Sequence, residues 1–251
     1  MKKRSIVFCA LALFTAVVLL GFSLNASGAY PVYYGKTVRK LPVYSVGRDD
    51  KKIAISFDCA WGTEHTDAIL AAMEKFNVKC TFFAVEFWVK KYPDYVKKIT
   101  EKGHELGTHS STHSHMAKMN EADILKELET SKKAIEDITG KKTELFRPPF
   151  GEYDDLLIDC AEKSNLMTIQ WDVDSLDWKD LSAEEIANRV IAKVKSGSII
   201  LCHNNGLRTA ESLPLIFAAL KQKGYEFVPI SKLVYKQNYT IDSSGKQILS
   251  E

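Results

Sequence analysis

His109 and His113 stand four residues apart, just after the run Gly103-His104-Glu105-Leu106-Gly107-Thr108. Imidazoles at that spacing lie on one face of a helical turn, so both can reach one cation. His115 crowds the same turn. Upstream, the run Ile53-Ala54-Ile55-Ser56-Phe57 ends in Asp58, followed by Cys59. A carboxylate closing a buried apolar strand is costly unless it is paired or metal-bound. Asp58 therefore reads as a general base on a metal-activated water, or else as a plain helix cap. Cys59 reads either as a thiolate ligand for zinc or as a small core residue. The set points to a metal-dependent hydrolase, with Cys59 standing where a second carboxylate would help fill the metal's shell.

Three further segments carry chemistry. In Arg147-Pro148-Pro149-Phe150-Gly151 the prolines fix the backbone direction. That holds Arg147 where it can steer a carboxylate and leaves the Phe150 amide free to donate to an oxyanion; the plainer reading is a Pro-rich turn. The stretch Trp171-Asp172-Val173-Asp174-Ser175-Leu176-Asp177-Trp178 packs three aspartates and two tryptophans into eight residues. Tryptophan faces stack on sugar rings, and an aspartate raises the basicity of a neighbouring histidine. The plainer reading is a helix start capped by Asp180 or Ser182. In Leu201-Cys202-His203 a histidine closes an apolar strand, as a general acid or as a satisfied core residue.

The elements that must position these groups alternate regularly. β-branched or aromatic runs recur at Ile53–Phe57, Thr81–Val85, Glu105–Thr108, Leu145–Arg147, Thr168–Val173, Ser198–Cys202 and Glu226–Ile230. Amphipathic helical patterns fall between most of them: from Thr66, over 120–138, 153–164, 183–195 and 210–222, with Gly140 and Gly224 as stops. Seven strands alternating with helices predict an α/β fold, an incomplete (β/α)7 barrel in one domain. Asp58, His109, Arg147 and His203 each fall at the C-terminal end of a strand, the face where barrel enzymes build their sites.

Composition is that of a globular protein: 251 residues, 45% hydrophobic and 26% charged. Lys2-Lys3-Arg4, the apolar run to Leu24 and Ser27-Gly28-Ala29 predict a secretory signal over residues 1–29. The run is also long enough to remain as a membrane anchor, the only membrane attachment expected. Its removal takes three positive charges and shifts the formal net charge from +2 to −1. No basic stripe remains to suggest nucleic acid. A lead-in over 30–50, a catalytic domain over 51–235 and a loosely held polar tail over 236–251 complete the division. Cys59, Cys80, Cys160 and Cys202 show no paired spacing, and buried free thiols are expected.

Ser56-Phe57-Asp58, Thr108-His109-x-x-x-His113, Arg147-Pro148-Pro149-Phe150-Gly151, Asp177-Trp178 and Leu201-Cys202-His203 occur in the order of the five motifs of the polysaccharide deacetylases. This family is also called the NodB-homology family or carbohydrate esterase family 4. The resemblance covers residues 50–235 and is specific because five ordered motifs coincide. Ser56-Phe57-Asp58-Cys59-Ala60-Trp61-Gly62 resembles most the PdaB-type sporulation deacetylases of endospore-forming bacteria. The resemblance implies a NodB-type distorted barrel that removes N-acetyl groups from amino sugars of peptidoglycan or a related cell-wall glycan; the N-terminal segment places the domain outside the cytoplasm, and a monomer is expected. It implies a divalent metal, zinc first with cobalt or manganese as alternatives, on His109 and His113. Asp58 would be the base, steered by Arg147, and His203 the acid, tuned by Asp177. The Phe150 amide would hold the oxyanion, and Trp178 and Leu201 would line the acetyl pocket. The chain departs from the family at Asp58-Cys59, where the second residue is usually a metal-binding aspartate. Two alternatives follow: a non-catalytic glycan-binding protein of the same fold, and an O-acetyl esterase.

Overall fold

β2 (Lys52–Cys59) is buried along nearly its whole length, which is what a strand in the middle of a parallel sheet requires. The computed structural model describes residues 39–179 and 181–250. In it β2 pairs in parallel with β3 (Thr81–Ala84) on one side and β8 (Ile199–His203) on the other. β4 (Glu105–Thr108), β5 (Leu145–Phe146) and β6 (Met167–Thr168) extend one flank, and β7 (Val173–Asp174) the other. The order is β6-β5-β4-β3-β2-β8-β7, and β9 (Glu226–Phe227) pairs with the start of β2. This curled parallel sheet with its helices is the expected incomplete (β/α)7 barrel.

Strand alternation separates two of the three core clusters among the described residues. Ile53, Ile55, Phe57 and Cys59 join Phe82, Trp88, Ile186 and Phe217 in one cluster. Ala54 and Phe83 join Val43, Ile169 and Ile230 in another. The predicted helices form, with ends within two residues of those expected. The helix Glu121–Thr139 begins under Asn120, whose side chain accepts from the Asp123 amide at 3.1 Å, and stops at Gly140 with φ 65°. The helix Ala183–Lys193 carries a capping box between Ser182 and Glu185. All four described cysteines are free and buried.

Four readings change. The run Thr168–Val173 is two short strands, β6 and β7, at opposite edges of the sheet. The residues between them cross the barrel's open seam, where Val43 bridges to Ile169. The last run is shorter than expected, because the backbone turns into a helix at Ile230. Two short helices, Glu86–Lys91 and Pro93–Glu101, fill the β3–β4 crossover. The tail, expected to be loose, is ordered: β10 (Tyr239–Ile241) and β11 (Lys246–Leu249) form a sheet with β1 (Ser45–Val46). The tail is held by backbone pairing and by Gln247, a buried polar residue whose amide bonds both the Tyr235 carbonyl and the Tyr235 amide at 2.8 Å. The signal or anchor expected over 1–29 lies outside the described residues; among those described, no helix is long and apolar enough to cross a membrane.

Candidate active site

Asp58 and His203 are register partners on the adjacent strands β2 and β8, so the ladder itself delivers a carboxylate and an imidazole to one edge of the sheet. Both line a cleft of about 530 Å³ with Trp61, His109, His113, Phe150, Trp171, Trp178 and Leu201. Every strand that contributes does so from its C-terminal end or the loop beyond, as the sequence implied.

Asp58 is buried, and its Oδ1 accepts from Arg147 Nη1 at 2.8 Å. Burial opposes its charge, but the guanidinium of Arg147, with a protonated His203, outweighs that cost and holds the carboxyl below its usual range. Arg147 is fully buried, lies over the Phe83 ring at 4.2 Å and donates from Nη2 to the Gln170 carbonyl at 3.2 Å. Arg147 is thus the direct charged partner of Asp58.

His203 pairs through Nδ1 with Asp177 Oδ1 at 2.8 Å, which leaves Nε2 toward the cleft. The other oxygen of Asp177 accepts from the His203 amide at 2.8 Å and from Thr209 Oγ1 at 2.6 Å. Burial works against an imidazolium here, and the Asp177 hydrogen bond and charge overcome it, so the His203 pKa rises above 6.5. A Cβ on Gly206 would stand 3.0 Å from Asp177 Oδ2 and closer still to Thr209 Oγ1, so glycine is what fits there.

The histidine pair comes together, but not on a helical turn. Residues 109–115 form an irregular loop, with Ser110 at φ 74° and His113 at φ 56°. The His109 and His113 rings are nonetheless 5.0 Å apart. His109 Nδ1 bonds the Arg147 carbonyl at 2.7 Å, which makes Nδ1 the protonated nitrogen and turns the Nε2 lone pair toward the cleft. That lone pair lies 3.6 Å from Asp58 Oδ2. Two acceptors face each other there, an arrangement that a cation or a proton between them relieves. Burial lowers the pKa of both histidines, that of His113 to about 4, so both are neutral and able to ligate at neutral pH.

Cys59 does not join them. It sits on the opposite face of β2, fully buried with Ile55 and Phe57, and burial pushes its thiol well above the ordinary range. It is a core residue, and no group of three His, Cys, Asp or Glu side chains is set to hold a metal among the described residues. The donors present fit a cation on two imidazoles with its other positions open, not a three-ligand site. The Phe150 amide has no intramolecular acceptor among the described residues, and its residue is held at φ 60° beside the cleft.

Three residues outside the expected set support the site. Glu127, on the helix Glu121–Thr139, accepts from the Ser111 and Thr112 amides at 2.9 and 2.8 Å and from Thr112 Oγ1 at 2.9 Å. It clamps the histidine loop. Asn204 Nδ2 donates to the Gly62 carbonyl at 2.9 Å and ties the end of β8 to the Trp61 loop. Trp61 itself rises at the rim. Its place directly after the Asp58 strand was the available signal; Glu127 had none, because it looks like any solvent-facing helix carboxylate.

The family model for polysaccharide deacetylase matches residues 45–169. The uncharacterized protein YlxY of Bacillus subtilis is 32% identical over 204 residues, covering 81% of this chain; the chain spans 64% of that protein's length. A peptidoglycan-N-acetylglucosamine deacetylase of Bacillus cereus is 32% identical over 76% of this chain and 92% of its own. Among solved structures, a CE4 family pseudoenzyme from Bacillus anthracis superposes with a TM-score of 0.75 at 30% identity, covering 84% of this chain and 73% of that one. With the motifs on one barrel face and relatives matched over most of their length, the chain belongs to the polysaccharide deacetylase family, carbohydrate esterase family 4.

Proposed function

We propose that this chain hydrolyses N-acetyl groups of amino sugars in peptidoglycan or a related cell-wall polysaccharide. The observation that carries the reading is the pairing of Asp58 and His203 across one cleft, each locked by its own partner, Arg147 and Asp177. Several relatives are named as peptidoglycan deacetylases; we place this chain outside the cytoplasm, exported by residues 1–29, and the resemblance of residues 56–62 to sporulation deacetylases supports a role in sporulation.

An amide carbonyl is a poor electrophile, so the site must activate water, stabilise the oxyanion and protonate the leaving nitrogen. Asp58, ionised and fixed by Arg147, takes the proton of the attacking water. The carbon–oxygen bond forms, and the Phe150 N–H donates to the developing oxyanion. His203 carries its proton on Nε2 to the amine as the carbon–nitrogen bond breaks, and acetate and the free amino sugar leave. Trp178 and Leu201 enclose the methyl group. Family members generally depend on a divalent metal. Zinc, or cobalt or manganese in its place, would sit on His109 and His113 and supply Lewis-acid polarisation of the carbonyl and water.

Acetate release from an N-acetylated glycan is expected to fall about 10²–10⁴-fold in Asp58→Asn and His203→Ala. Full activity in either variant overturns the mechanism. A second reading has specific support: Cys59 lies in the core, and a similar solved structure is a pseudoenzyme. Purified protein without metal and without acetate release, but with glycan binding intact, favours that reading.

A further inference from the structure

A second cavity, of about 460 Å³, opens at the N-terminal ends of β4 and β5, the opposite end of the strands from the catalytic groups. Its walls are the Gly103-His104 turn, the turn over 139–145 and the start of the helix Ile230–Leu233. Lys141, Lys142 and Lys232 stand around it, and none of the three forms a salt bridge among the described residues. Its two carboxylates are already engaged. Glu105 Oε2 accepts from Thr81 Oγ1 at 2.6 Å and from the Ser231 amide at 3.2 Å, and Glu144 pairs with Lys236 at 2.5 Å.

Two nearly buried donors open on this space. His104 is 6% exposed, and its Nδ1 accepts from the Cys80 amide at 3.3 Å. Burial and the charges of Lys79 and Lys102 hold its pKa down at about 4, so the ring is neutral with its proton on Nε2. That N–H has no acceptor among the described residues. Thr143 is 2% exposed; its amide donates to Glu136 Oε1 at 2.8 Å, while its hydroxyl has no partner among the described residues. Neither atom is sealed in: the unpaired side-chain atoms shut away from solvent belong to Arg147, Ser164, Thr168 and Asn204. His104 Nε2 and Thr143 Oγ1 therefore face the cavity that both residues line.

One imidazole N–H, one hydroxyl and three ammonium groups thus surround a space whose carboxylates are spent. A ligand that satisfies them brings several acceptor oxygens and negative charge, which is the chemistry of a phosphate group. The helices Pro93–Glu101 and Glu121–Thr139 end here, and their carbonyl ends oppose an anion with about half a charge each. Lys79 Nζ offsets the first by donating to the Lys102 carbonyl at 2.7 Å, and Thr139 Oγ1 the second by donating to the Ile135 carbonyl at 2.9 Å. The three lysines exceed what remains. We propose that this cavity is a binding site for a phosphate group, free or esterified in a polyanion. The site is independent of the cleft's chemistry, and a phosphodiester polymer held there leaves the cleft open to a glycan.

The test is calorimetric titration of the full chain with inorganic phosphate and with a glycerol phosphodiester oligomer. It compares the native protein, Lys142→Ala, Thr143→Val and Lys133→Ala, with circular dichroism checking each fold. Lys133, an exposed lysine paired with Asp137, reports nonspecific charge. One phosphate site is expected in the native chain, about tenfold weaker in Lys142→Ala and in Thr143→Val and unchanged in Lys133→Ala. Saturation shifts the His104 Nε2 resonance in nitrogen NMR, which diffuse binding to surface lysines does not. Binding of the oligomer as tight as that of phosphate, or tighter, assigns the ligand to a polymer; tighter binding of inorganic phosphate assigns it to the free anion. Binding of neither, equal weakening in Lys133→Ala, or saturation that leaves His104 unmoved overturns the proposal. Should Thr143→Val fail to fold, Lys142→Ala and the His104 resonance decide it. Acetate release is no readout here, so failure of the deacetylase reading leaves this test intact.

Discussion

Asp177 spends both carboxylate oxygens on fixing His203, and the return is a histidine that holds its proton above its ordinary range. If His203 is the acid, activity requires its protonated form, and the alkaline limb of the rate profile lies above pH 6.5. Asp177→Asn removes the charge that overcomes burial, so the limb shifts to lower pH and the maximal rate falls; a pH profile of acetate release checks this. Stability follows the same sign. The pair's contribution is fully present below the unfolded histidine pKa and is lost as pH rises through the raised folded value. These residues were legible because each is a polar group ending an apolar run, where burial without a partner is costly. Cys59 was legible in part. Adjacent residues in a strand point to opposite faces, so placing Asp58 in the cleft already sends Cys59 into the core.

At the level of elements, loops carry the site and helices hold the loops. The spacing of His109 and His113 suggested a helical turn, yet Ser110 and His113 take positive φ and no helix forms there. A four-residue interval brings two rings together by either route, and spacing alone does not separate them. The loop owes its shape to Glu127, three of whose hydrogen bonds reach Ser111 and Thr112. Glu127→Ala is expected to lower metal affinity about 10–100-fold, as loss of a supporting partner does, while the fold survives. Zinc titration alongside thermal melting measures both. The helices Glu86–Lys91 and Pro93–Glu101 escaped the sequence reading for a local reason. Pro93 begins the second helix, and each is shorter than the window of about 11 residues over which an apolar period stands out, although Trp88, Val89, Val96 and Ile99 are buried.

Across the described molecule, the incomplete barrel is sealed by segments from both ends of the chain. Val43 and Ser45 bridge to Ile169 and Ser198 at the seam, and β11 pairs with β1 behind them. The barrel alternation was visible in sequence because its apolar runs are strong. The tail was not, because Lys246-Gln247-Ile248-Leu249 is short and half polar and its order comes from pairing with residues some 200 positions away. Removing residues 237–251 is expected to cost on the order of 3 kcal/mol, from the loss of β10, β11 and the buried Gln247, and to lower the melting temperature; calorimetry checks it. The ladder joining Asp58 to His203 has a wider meaning. Their spacing is a property of the sheet, like the pitch of a thread, and no rim loop has to be correct for it to hold. The mouth can therefore diverge toward new glycans, one loop at a time, while the proton route beneath it is inherited unchanged.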